Sequence, residues 1–223
     1  MGIPVLILGE SGSGKSTALR NFEPDEIGVF NVAGKPLPFR KKLNVVSAIP
    51  VKNDKKEVVG SRRVNYNDIL SALSRGKLKA YAIDDSQYLM AFEELDRAKE
   101  TGYTKFTEMA LNFAGLVRQI IDVLPPDVIV YFLHHVETTE AGKVKAKTVG
   151  KMIDSKLTLE GLFSIVLLCE ASKDGHHFIT QSDGYTTAKS PMEMFPAEID
   201  NDLKMVDTTI RKYWGLSPIE TKE

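Results

Sequence analysis

The 223-residue chain has 43% hydrophobic and 26% charged residues, an ordinary globular balance with room for one large α/β domain or a core with a modest insertion. A formal net charge of -1 excludes a global field drawing it to nucleic acid or membrane, so any polyanion contact must come from a local patch. The lone Cys169 excludes an internal disulfide, and the His are not spaced with cysteine as zinc ligands.

In chain order, the aliphatic run Ile3 to Leu8 predicts a parallel strand covered on both faces, with Pro4 tolerated near its start. This run lacks the basic flank of a leader, and no apolar stretch reaches the roughly 18 residues that span a bilayer. No membrane partner is expected, and the cytosol is the expected compartment. A glycine-rich loop follows, then a helix over about 15–22. Strands are predicted at Ile27 to Val32 and Leu43 to Ile49, joined by GKPLPFRKK. The charged insertion of about 52–65 reads as an exposed hairpin or a loop. Short helical patterns cover Asn67 to Ser74 and about 86–99.

A longer helix is predicted over about 105–124. Phe106, Met109, Phe113, Leu116, Ile120 and Val123 form its apolar face, and Pro125-Pro126 ends it. Ala80 to Ile83 and Val128 to Leu133 read as buried strands, the first ending at Asp84-Asp85 and the second at His134-His135. Leu162 to Cys169 and His177 to Thr180 form a hairpin turning at Asp174-Gly175, with His176-His177 as edge residues. The last helix, Asn201 to Trp214, sets Leu203, Val206, Ile210 and Tyr213 on one side and closes at Gly215. The alternation implies a single α/β domain over 1–223: a mostly parallel sheet, helices on both faces and a C-terminal antiparallel hairpin.

Gly9, Glu10, Ser11, Gly12, Ser13, Gly14, Lys15 and Ser16 match G-x-x-x-x-G-K-[ST], with Thr17 following. In such a P-loop the glycines let successive amides converge on a phosphate, and the next helix points its positive end at the same anion. Lys15 supplies charge to the β and γ phosphates, and Ser16 a hydroxyl to Mg²⁺. Asp84, at a strand's C-terminal end, is the expected second Mg²⁺ group, directly or through water. Asp85 either polarises the attacking water or caps the helix beginning near Ser86. One of His134 and His135 is expected to face the nucleotide as a γ-phosphate sensor, since side chains alternate along a strand.

A basic loop of about 137–156 follows. From Ala141 to Lys156 it holds five lysines, among them Lys143, Lys145, Lys147 and Lys151, against Asp154, a local charge of +4. Three readings stand: polyanion binding, contact with a neighbouring subunit's nucleotide, or a solvated loop. Arg62-Arg63 could extend a basic patch.

With these features in this order, the chain resembles the RecA-like P-loop ATPases of bacteriophages, the group described as AAA-domain or single-strand annealing and recombination ATPases. GESGSGKST, AIDDSQYLM, GYTKF, KTVGKMIDSKLTLEGLF and AKSPMEMF…IDNDL carry the likeness. The resemblance implies a RecA-like core, Mg²⁺-dependent ATP hydrolysis, single-stranded DNA as partner in phage recombination or replication, a homo-oligomer as a further partner class, and the cytoplasm of a bacterial host. It departs from that pattern after the second strand, where FNVAGKPLPF offers no glutamate, so the catalytic role shifts to Asp85. Two alternatives compete. A small-molecule kinase would carry an arginine-rich lid, and none of the eight arginines lies between Arg118 and Arg211. The other is a nucleotide-dependent binding switch with little turnover. GTP in place of ATP stays open, because no N-K-x-D motif is present.

Overall fold

The computed structural model describes residues 1–149 and 158–219. Lys151, with the rest of the second half of the basic loop to Lys156, lies outside the described residues.

The strands are β1 (Ile3–Gly9), β2 (Ile27–Asn31), β3 (Asn44–Val46), β4 (Ala48–Lys52), β5 (Val58–Arg63), β6 (Ala80–Asp84), β7 (Ile129–Thr138), β8 (Val144–Ala146), β9 (Ile165–Ser172), β10 (Gly175–Ile179) and β11 (Glu198–Asp200). The helices are α1 (Tyr66–Ser74), α2 (Gln87–Asp96), α3 (Thr104–Val123) and α4 (Leu203–Trp214). Among the described residues the main sheet has nine strands in the order β11-β10-β9-β1-β7-β6-β2-β3, with β8 paired to β7. The pairs from β9 to β3 are all parallel, whereas β10, β11 and β8 pair antiparallel. The molecule is thus α/β, with a mostly parallel mixed sheet and a C-terminal antiparallel hairpin.

Strand alternation divides the core. Leu6, Leu8, Ile83, Val130, Phe132 and Val166 pack beneath α1, α2 and α3. Val5, Ile7, Ala82, Tyr131, Leu133 and Leu167 pack instead against Ala18, Leu19, Phe22 and the Leu203, Val206 and Ile210 stripe of α4. Both faces are covered, which is why the central strands read as continuous apolar runs.

Five expectations change. The helix over 15–22 is a short 3-10 turn, Ser16–Asn21. Pro24 disfavours helical backbone at Glu23, so the segment stops before an α-helix can establish itself. The strand expected from Leu43 to Ile49 splits: β3 joins the main sheet, while β4 pairs with β5 as a separate exposed hairpin over the charged insertion. Strand β7 does not stop at His134-His135 but runs to Thr138, because Val136 and Thr138 pair with Ala146 and Val144. The first part of the basic loop is therefore a hairpin. In α4 the inward position after Ile210 belongs to Arg211, whereas Tyr213 is exposed; Val123 of α3 is exposed as well.

At the N-terminal ends of β6 and β7, Arg211 binds the carbonyls of Lys79 (2.9 Å) and Asp127 (2.9 Å), pairs with Asp207 and also reaches Ser217 O (3.1 Å). Tyr131 Oη donates to Asp207 Oδ2 at 2.9 Å. Burial pushes the Asp207 carboxyl up, with the Arg211 hydrogen bond opposing it.

Candidate functional site

Because β7 lies between β1 and β6, the C-terminal ends of three adjacent strands deliver chemistry to one place. β1 ends in the glycine loop, β6 in Asp84-Asp85, and β7 passes through His134-His135, with Gly9 opposite His135. A cavity of about 220 Å³ there is lined by Gly12, Lys15, Ser16, Asp84, Asp85 and His135, and by Lys35 from the loop after β2.

The glycine loop is held closely. A Cβ on Gly9 would lie 2.4 Å from Ser13 Oγ and 2.7 Å from the Cys169 carbonyl, so only glycine fits. Gly14, at φ +102, adopts a conformation that other residues avoid, and a Cβ there would lie 2.7 Å from the His176 ring. His176 thus packs over the loop and is not merely an edge residue. Behind the loop, Cys169 Sγ donates to Ser13 O at 3.0 Å, and Asn201 Nδ2 donates to Gly14 O at 3.3 Å. Burial raises the Cys169 thiol to about 11, which keeps it a neutral donor. Glu10, Ser11, Gly12 and Ser13 also line a second cavity, of about 440 Å³, toward Val136 and Val144. Thr17, at the far end of the motif, lines the first cavity and accepts from Arg20 through its carbonyl at 3.2 Å.

Lys15 is buried and folds back on its own loop, donating to Gly9 O at 2.8 Å and Glu10 O at 2.7 Å. Desolvation lowers its pKa, against the pull of Cys169, Asp85 and Asp84. An anion beside it would offset that cost.

Ser16 Oγ donates to Asp84 Oδ1 at 2.7 Å, joining two groups 68 residues apart in sequence. Asp84 shares the strand face of Ala82 and is buried; desolvation raises its carboxyl, opposed by the Ser16 hydrogen bond. A hydroxyl and a carboxylate oxygen side by side form a hard-oxygen donor pair. No group of three or more His, Cys, Asp or Glu that could hold a metal occurs among the described residues. Two oxygens of this kind are what a cation such as Mg²⁺ accepts from a protein when water and phosphate fill the rest of its shell.

Asp85 stands in the left-handed region at φ +57, uncommon outside glycine although Asp tolerates it. Its carboxylate does not cap the helix: Oδ1 meets His135 Nε2 at 3.0 Å and Oδ2 meets Lys35 Nζ at 2.6 Å. Burial alone would raise this carboxyl, but the hydrogen bonds from His135 and Lys35 outweigh it and hold it below the usual range.

The two histidines separate by strand parity. His134 follows the face of Phe132 into the core, packing edge-on against Phe113 with ring centroids 5.6 Å apart. Its Nε2 donates to Lys147 O at 2.8 Å, which leaves Nδ1 to accept from Ser86 Oγ at 2.9 Å. Burial lowers it to about 4, so it is neutral. His135 follows the opposite face onto Asp85, with Tyr88 edge-on at 5.7 Å. His135 is therefore the cavity-facing member, and His134 anchors the strand to the basic segment.

In that segment Lys143 and Lys147 are exposed, whereas Lys145 pairs with Glu137 at 2.8 Å. Lys35 is the residue that sequence reading missed. Its loop showed only what it lacked, a glutamate, and an isolated loop lysine carries no pattern. No helix among the described residues is long and apolar enough to cross a membrane. No family model and no curated protein matches the chain.

Proposed function

We propose that the chain binds and hydrolyses a nucleoside triphosphate, ATP foremost, on a P-loop core of RecA-like type. One observation carries the reading: Lys15, the Ser16–Asp84 pair and Asp85 line a single cavity at the ends of adjacent parallel strands. This is where open α/β sheets take ligands. The glycine loop wraps the phosphates, and Lys15 turns from Gly9 O and Glu10 O to the β and γ oxygens. Ser16 and Asp84 would hold Mg²⁺, which when bound supplies charge neutralisation to the phosphate oxygens.

Asp85, kept deprotonated, accepts a hydrogen bond from the attacking water and so orients it. The water oxygen bonds to the terminal phosphorus as the bond to the bridging oxygen breaks, and one water proton passes to a phosphate oxygen, so that the nucleoside diphosphate and inorganic phosphate leave. His135 fixes the Asp85 carboxylate through Oδ1. Single-stranded DNA is the proposed partner, bound by the exposed Lys143 and Lys147. His134 ties Lys147 to the strand whose next residue touches Asp85, which would let DNA and nucleotide sense each other.

A second reading, a switch with little turnover, draws on the fact that both Asp85 oxygens already have partners. Measuring phosphate release with ATP and Mg²⁺, with and without single-stranded DNA, tests both. Release that DNA accelerates supports the ATPase; tight ATP binding without release supports the switch. No nucleotide binding at all sinks both.

A further inference from the structure

Lys35 occupies a position that a solvated loop lysine would not need. Its backbone is clamped to the end of β2 by Asn31, whose Oδ1 accepts from Gly34 N–H at 2.8 Å and whose Nδ2 donates to Lys35 O. Asn31 is buried and lies opposite Asp84 on the neighbouring strand, which sets the loop level with the acidic pair. Pro36 follows and stiffens the exit. From this fixed base the side chain is 62% exposed, yet it turns inward, with Nζ 2.6 Å from Asp85 Oδ2 and 5.8 Å from the Tyr88 ring centroid. It lines the same cavity as Lys15, Ser16 and Asp84.

We propose that Lys35 is a terminal-phosphate contact: on triphosphate binding its ammonium leaves Asp85 for the γ-phosphate oxygens, adding a second cation from the same chain and freeing one Asp85 oxygen for the attacking water. The inference rests on the triphosphate reading and deepens it. A carboxylate and a γ-phosphate compete for one ammonium, and the phosphate carries more charge and more acceptor oxygens. The rigid Asn31 clamp confines the exchange to side-chain rotation. A diphosphate lacks the competing group and leaves the Lys35–Asp85 pair intact. Lys35 thus distinguishes the two nucleotides and relieves the double occupation of Asp85 only when there is a bond to cleave.

The test compares wild type, Lys35→Ala and Lys35→Gln for Mg²⁺-dependent affinity toward ADP and a non-hydrolysable ATP analogue, and for ATP turnover. Expected are an about tenfold loss of analogue affinity, unchanged ADP affinity and an about tenfold or greater fall in turnover in both variants. Because the side chain is largely exposed, both should melt near the wild type. Equal losses for the two nucleotides would assign Lys35 a merely structural role. Wild-type analogue affinity in Lys35→Gln, which keeps most of the length and removes the charge, would overturn the contact outright. If wild type binds neither nucleotide, the triphosphate reading itself falls, and this inference with it; if wild type binds and the variants match it, only the Lys35 contact falls.

Discussion

His134 and His135 are consecutive on β7, yet one ring is sealed between Ser86 and Phe113 while the other reaches the Asp85 carboxylate. Strand parity imposes the split, and it gives the two residues different consequences on mutation. Loss of His135 should act on turnover, and loss of His134 on stability and on the seating of the basic segment.

The buried ring makes stability depend on pH. His134 is depressed to about 4 in the folded chain, with His135 and Lys15 adding to the effect of burial. Unfolded, it titrates near 6.5. The unfolded state therefore takes up the proton first: the contribution is complete above about 6.5 and drains away as pH falls toward 4. Between pH 7 and pH 5 the loss should be about 2 kcal/mol. Urea unfolding at the two pH values should show a flatter response in His134→Gln. Identical slopes in the two chains would mean that this ring is not the source.

At the acidic pair, Asp84→Asn removes the charge and leaves an oxygen for Ser16. Nucleotide affinity in Mg²⁺ should fall about tenfold, with no change in EDTA. The same substitution removes a buried carboxylate whose charged form burial disfavours, so the fold should become more resistant to denaturant. Weaker binding and a sturdier fold together would separate a functional acid from a structural one. A drop in stability with unchanged Mg²⁺ response would count against Asp84 as a cation ligand.

Asn is also the informative replacement at Asp85, because it tolerates the left-handed backbone at φ +57 better than most side chains do. Asp85→Asn should bind the triphosphate at least as tightly, because the carboxylate no longer competes for Lys35, and reduce turnover about 100-fold. Hydrolysis at the wild-type rate would remove Asp85 from the reaction.

Sequence pattern reached the parts of this molecule that obey short-range rules. Gly9 to Thr17 announces itself by glycine spacing after an apolar strand, and Asp84 by closing another such strand. Lys35 escaped because its meaning depends on Asp85, which follows a different strand and meets the loop only in three dimensions, and on the Asn31 clamp that aims it there. The length of β7 escaped because its extension pairs with β8 through polar sequence, where alternation is weak. The apolar stripe of α4 was legible to Ile210. Beyond it a lysine-like surface pattern concealed Arg211, whose burial is supported by carbonyls from other elements.

That arginine predicts a purely structural phenotype. Arg211→Ala would strip the donors from Lys79 O and Asp127 O and leave Asp207 buried without its cation. Removing one partner of such a buried pair costs about 3–5 kcal/mol. Denaturant titration should show that loss, while nucleotide affinity at low temperature stays within twofold of wild type, roughly the noise of independent distant sites. A selective loss of affinity in a stably folded variant would contradict a structural role.

The DNA partner is tested by salt. Lys145 is engaged with Glu137, which leaves Lys143 and Lys147 as the exposed cations of the described hairpin, with Lys151 beyond it in sequence. Contact with three or four phosphates of a single strand gives a slope of log K on log salt of about −2 to −3. Lys143→Ala should lower its magnitude by about 0.7, the share of one phosphate. Lys147 differs, because its carbonyl accepts from His134, so Lys147→Ala keeps the backbone anchor while removing the charge. Its slope should fall by the same amount without a change in melting. A slope near zero with ATP present would remove single-stranded DNA as the partner, and with it the reason for coupling this hairpin to Asp85 through β7.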